Sequence, residues 1–109
     1  MDERDKNIVL ELKESVRGDT MKHIKKCLVY GSRVRGENDK DSDLDILMLV
    51  DKNTLEIEQE LEDATYQVMW NYNFKPIISL KVFSEDRFNQ AVTEGFSFYR
   101  NAKREGVVI

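Results

Sequence analysis

Gly31 to Val50 reads GSRVRGENDKDSDLDILMLV. The apolar run CLVY (Cys27 to Tyr30) leads into the Gly31-Ser32 pair. Ten residues then separate Ser32 from Asp43-Leu44-Asp45, which opens directly into the apolar run ILMLV. Lys26 to Tyr30 reads as a strand ended by Gly31, and Ser32 to Gly36 as a short helical turn. Asn38 to Ser42 reads as a polar loop and Asp43 to Val50 as a second strand. Apolar residues do not alternate after Asp45, so most of the second strand should be covered on both faces. The connection is too short for a helical crossover, so these strands should be antiparallel neighbours.

The rest of the chain follows from that pair. Upstream, Ile8, Leu12 and Val16 recur every four residues and predict a helix from Arg4 to Val16, broken at Gly18 and Asp19. Downstream, Asp51 to Asn53 is a turn, and Thr54 caps a helix running to about Trp70. Ile57, Leu61, Ala64 and Val68 form its inner stripe, with Thr65 at the margin. Tyr66 and Trp70 fall on another side, which predicts packing on a second surface. With Tyr72 and Phe74 they read as an aromatic cluster packed within the domain. Pro76 precedes a third strand, Ile77 to Phe83, which should run parallel to the second. Ser84 caps a last helical region, divided at Gly95, with Phe88, Val92, Phe96 and Tyr99 on its apolar side. The order α-β-β-α-β-α predicts an α/β (α+β) fold, a small mixed sheet with helices packed on it.

Length and composition agree. At 109 residues the chain suits one domain, 1–109, with one core. With 40% hydrophobic and 35% charged residues it reads as globular rather than disordered. A net charge of -4 argues against wholesale nucleic-acid binding. No apolar run is long enough to span a membrane. The lone Cys27 cannot form an internal disulfide, and a reducing cytoplasmic setting is the expectation. Cys27 itself reads as core. His23, the only histidine, has no acidic partner fixed by sequence and is assigned a surface or boundary place. Arg100, Lys103 and Arg104 read as a solvated helix face.

The chemistry sits in the opening stretch. Residues two apart in a strand point the same way, about 6.5–7 Å apart. Asp43 and Asp45 therefore project together and can offer oxygen ligands to divalent cations. Two like charges at the head of a buried strand are costly, and a metal offsets that cost. Gly31 permits an unusual backbone and close approach of a ligand. Ser32 adds a hydroxyl, and the turn after it can offer N–H groups to phosphate oxygens. Arg33, Arg35 and Lys40 add positive charge. Together these suit a metal-bound nucleoside triphosphate.

Gly31-Ser32, ten residues, then Asp43-Leu44-Asp45 resembles the signature of the minimal nucleotidyltransferases of the DNA polymerase beta-like superfamily. The tail SEDRFNQAVTEGFSFYRNAKREGVVI is similar to the C-terminal part of these small domains. The resemblance implies that Gly31 and Ser32 hold the triphosphate with Arg33 and Arg35 beside them. It also implies that Asp43 and Asp45 are catalytic and coordinate one or two Mg²⁺ ions. The implied reaction transfers an NMP, AMP from ATP as the expected case, to a protein or RNA acceptor, with nucleic acid entering only as acceptor. A HEPN-domain ribonuclease toxin is the implied partner, with this chain as antitoxin. The chain departs from the pattern at the third strand. Ile77 or Ser79 stands where active members commonly carry a third carboxylate, and Lys81 lies two residues on. Glu85 and Asp86 fall in the next helix. A nucleotidyltransferase-like module that acts by binding a partner is therefore the alternative.

Overall fold

The computed structural model describes residues 1–36 and 41–109. Lys40 and part of the predicted polar loop lie outside the described residues. Three of the helices begin on a side-chain cap. Asp2 opens α1 (Glu3–Ser15) by accepting from the Arg4 amide. Thr54 opens α4 (Leu55–Asn71) by accepting from the Ile57 amide, as its sequence predicts. Ser84 opens α5 (Glu85–Glu94) through the Arg87 amide. Each cap satisfies an amide that the helix cannot. Gly95, at φ 89°, ends α5 in the left-handed region, and α6 (Ser97–Glu105) follows, so the predicted division at Gly95 is observed. Two short helices complete the set, α2 (Gly18–Met21) and α3 (Ser32–Arg35).

β1 (Ile24–Tyr30) pairs antiparallel with β2 (Leu44–Val50), and β2 pairs parallel with β3 (Ile78–Ser84). Both orientations follow from the connection lengths. A fourth strand, β4 (Val107–Val108), joins the outer edge of β1 and completes the order β3-β2-β1-β4. The sequence pattern predicts no strand there. The result is the mixed sheet with packed helices that the element order predicts.

β2 is central, and its alternate residues feed two unequal layers. Leu44, Ile46, Met48 and Val50 are fully buried in one cluster with Ile8, Val9 and Leu12 of α1 and Ile57, Leu61 and Val68 of α4. Leu47 and Leu49 point to the other face and meet Leu28, Phe88 of α5 and Ala102 of α6. Asp45 shares the parity of that second, thinner layer. Cys27 is buried in the first layer, and burial pushes its thiol up to about 11, as suits a core residue.

Three packing expectations are corrected. Thr65 is buried in the inner stripe of α4, where its hydroxyl donates to the Leu61 carbonyl, whereas Ala64 is only half-buried. Tyr66 and Trp70 are exposed rather than packed on a second layer, and their ring contacts among the described residues are edge-on with Phe74. Tyr72 alone of that cluster turns inward, with the Arg4 guanidinium 5.5 Å from its ring centre. Phe96 is likewise exposed rather than on the apolar side of its helix. His23 is half-exposed as expected, but it has an acidic partner, Asp51, at 2.8 Å.

Candidate active site

The site is built where β1 ends and β2 begins. Tyr30 is the register partner of Asp45 across the antiparallel ladder, which brings Gly31 against the Asp45 side chain. Gly31 has φ 85° and ψ −162°, a conformation that residues with a Cβ rarely adopt. A Cβ built there would lie 2.5 Å from Asp45 Oδ2, so the glycine is required twice, by backbone and by space. The carbonyl of Gly31 then accepts from the amides of Val34 and Arg35 and closes the α3 turn.

Asp45 is half-buried and Asp43 is exposed. Burial pushes the Asp45 carboxyl above its ordinary pKa, and the like charge of Asp43 pushes it further; Lys81 and Arg35 pull it back. The two carboxylates therefore interact, as the Asp-x-Asp spacing predicts. Asp43 stands just outside the strand, because β2 begins at Leu44, whose amide donates to the Ile77 carbonyl at 2.9 Å.

The parallel register assigns the third-strand position. Ser79 lies directly opposite Asp45, and Lys81 opposite Leu47 on the same face. No carboxylate of β3 reaches this level, and Glu85 and Asp86 occupy the first turn of α5. Lys81 does face the site: it acts on Asp45, and its Nζ lies 5.8 Å from the centre of the Phe98 ring.

The two arginines of the turn diverge. Arg33 turns into the interior. It is buried, and its guanidinium donates to both oxygens of Asp5 at 2.9 and 3.0 Å and to the Ser42 carbonyl at 3.0 Å. Asp5 is equally buried, so the pair ties α1 to the turn and to the segment entering β2. The carboxylate that captures this side chain lies 28 positions earlier in the chain. Arg35 remains beside Asp45 and also bonds Glu105 of α6 at 3.1 Å. Ser32 is half-buried at the start of the turn.

Two residues that sequence reasoning missed complete the site. Tyr30 lies on the Asp45 face, and burial and Asp45 push its hydroxyl up to about 12. Strand alternation and the hairpin register could have found it. Phe98 of α6 meets the Tyr30 ring edge-on at 5.6 Å, and only the packing of α6 reveals it.

The donor set fits a hard divalent cation. Asp43 and Asp45 offer carboxylate oxygens, their mutual repulsion is only partly offset, and neither histidine nor thiol is near. Among the described residues, no three potential protein ligands come together. Mg²⁺ is commonly held by one or two carboxylates plus substrate phosphates and water, so a pair is sufficient.

A glycine turn is thus pressed against paired carboxylates at one end of a mixed sheet covered by helices on both faces. The chain belongs to the family described as "Polymerase beta, Nucleotidyltransferase", which matches residues 11–104. It is 32% identical over 104 residues to a protein of Methanocaldococcus jannaschii named "Putative protein adenylyltransferase MJ0604". That match covers 95% of this chain and 92% of the relative. No helix among the described residues is long and apolar enough to cross a membrane.

Proposed function

We propose that this chain transfers AMP from ATP to a hydroxyl group of a protein acceptor, with Mg²⁺ held by Asp43 and Asp45. The observation that carries the reading is the contact between Gly31 and Asp45. A left-handed glycine leaves the carboxylate open to a ligand, and any larger residue would fill that space. Bound there, Mg²⁺ would offset the charge of the triphosphate and favour departure of pyrophosphate. Asp43 and Asp45 hold the cation. Lys81 and Arg35 place positive charge on the same side of the sheet. The acceptor oxygen bonds to the α-phosphorus, the bond from that phosphorus to the oxygen leading to the β-phosphate breaks, and the acceptor proton passes to solvent.

Ser79 cannot act as a carboxylate base. Base assistance typically contributes about 10²–10⁴-fold, so transfer to generic acceptors should be slow, and a tightly positioned cognate acceptor should be favoured. The name of the M. jannaschii relative supports a protein acceptor. A HEPN-domain toxin is the acceptor we propose, which makes the chain an antitoxin; RNA is the other acceptor class. A cytoplasmic setting suits the lone buried thiol of Cys27. The second reading, a module that only binds its partner, is favoured by Ser79 and Lys81 at the third-strand position.

Labelled ATP and Mg²⁺, incubated with the chain and the product of the adjacent gene, distinguish the two. Label on the partner from the parent protein but not from Asp43→Asn, Asp45→Asn supports transfer. Partner inhibition without label, equally strong in the double variant, supports the binding module.

A further inference from the structure

A cleft of about 200 Å³ opens beside the site, between the Gly31 turn and α6. Tyr30, Gly31 and Arg35 form one wall, and Phe98, Asn101 and Glu105 the other. Positions 98, 101 and 105 recur at helical spacing, so one face of α6 looks into the cleft. A larger groove of about 530 Å³, lined by Phe83, Phe88, Phe96 and Tyr99, lies elsewhere. Phe83 pairs with Leu49, four residues along from the level of Asp45, so the smaller cleft is the one that borders the carboxylates.

Three features of the small cleft point to a ligand. The Tyr30 hydroxyl is shielded from solvent and has no hydrogen-bond partner among the described residues, an unfavourable state that an acceptor oxygen would relieve. The Phe98 ring is over a third exposed although it touches Tyr30, Phe83 and Tyr99, so part of an aromatic cluster is left open beside the site. Lys81, which acts on Asp45, also lies against that ring, so one cation borders both the carboxylates and the aromatic surface. The volume is below the roughly 300–1,000 Å³ that encloses a whole drug-sized ligand. It suits one portion of a nucleotide whose phosphates extend into the open toward Gly31.

We infer that this cleft binds the nucleoside portion of the triphosphate, with Phe98 packing against the base and the Tyr30 hydroxyl donating to an oxygen of the nucleotide. The inference rests on the nucleotidyl-transfer reading and adds to it a recognition wall supplied by α6. The wall lies outside the Gly-Ser and Asp-x-Asp signature, so it adds affinity for the nucleoside rather than for phosphate and metal.

The test compares two probes, each with Mg²⁺, by calorimetric titration: ATP, and inorganic tripolyphosphate, which has no nucleoside. Phe98→Ala should weaken ATP binding roughly tenfold or more, the range seen when base-stacking rings are removed. Tyr30→Phe, which keeps the ring and removes only the hydroxyl, should weaken it about three- to tenfold. Tripolyphosphate should bind both variants as it binds the parent. Tyr30→Phe carries the test if the alanine variant does not fold. Parental ATP affinity in both variants would overturn the inference while leaving the metal and phosphate site in place. Equal losses for both probes would also overturn it, since the wall would then serve the phosphates or the fold. If the parent binds neither probe, the inference and the proposed function fall together.

Discussion

The two faces of the sheet do different work with the same strand. On the α1 and α4 side, Leu44, Ile46, Met48 and Val50 are sealed under two long helices in a cluster of fourteen buried residues among those described. On the α5 and α6 side the buried cluster has five members among the described residues, and the β2 residue at its open end is the carboxylate Asp45. Burying a large aliphatic side chain contributes about 1.5–3 kcal/mol, so the first face supplies most of the hydrophobic stabilisation. The second face can then carry an ionised residue, a tyrosine hydroxyl with no partner among the described residues, and an exposed lysine. A strand that alternates between two layers can separate stability from chemistry residue by residue.

Breaking the thick side should have the largest effect on stability. Asp5→Ala leaves the buried Arg33 guanidinium without its carboxylate and should cost about 3–5 kcal/mol in urea denaturation. Asp5→Leu with Arg33→Met should recover most of that loss, because the pair itself is close to neutral against well-packed apolar residues. The folded fraction of either variant should still bind Mg²⁺-ATP. If Arg33→Met alone abolished binding while the fold was intact, the assignment of Arg33 to the interior would be wrong.

At the seam between the faces, Gly31→Ala should cost about 1–3 kcal/mol, since a Cβ at φ 85° is strained and would collide with Asp45. Here stability and function should fall together: Mg²⁺-dependent ATP binding should be lost even where the protein remains folded by circular dichroism.

On the thin side, removing a charge should stabilise. The folded-state pKa of Asp45 is raised, so ionising Asp45 works against the fold. Asp45→Asn should therefore stabilise the protein at neutral pH, by less than about 1 kcal/mol because the group is only half-buried and solvent screens its charge. The gain should shrink as pH falls through the raised value and vanish below the unfolded value of about 3.9. A variant less stable than the parent at pH 7 would show Asp45 to be structural.

The smallest effect belongs to the outer surface of α4. Trp70→Gln should change stability by no more than about 0.5 kcal/mol, because the ring is 62% exposed and touches only Phe74 among its aromatic neighbours. A larger loss would mean that α4 packs on a second layer after all.

The contrast between the faces also marks what the sequence could disclose. The antiparallel pair, its turn, the parallel third strand and the break at Gly95 were legible, because each rests on local chemistry: connection length, glycine, caps and periodicity. Asp43, Asp45 and Gly31 were legible for the same reason. The direction of Arg33 was not, since it depends on Asp5, a partner supplied by a different helix. Nor was β4, two residues whose strand character comes only from pairing with Leu28 and Val29. Tyr66 and Trp70 misled because helical spacing reports a face but not whether anything covers it. Phe98 and Tyr30 meet through the packing of α6, which no periodicity encodes.

The central claim is that Asp43 and Asp45 form a metal-dependent nucleotide site on the thin face. Calorimetric titration of ATP, with and without Mg²⁺, into the parent and into Asp43→Asn, Asp45→Asn tests it most directly. The account predicts saturable ATP binding by the parent only with Mg²⁺, and loss of that binding in a double variant that is at least as stable as the parent. Mg²⁺-dependent binding that survives in the double variant, or no binding by the parent at millimolar nucleotide, would contradict it.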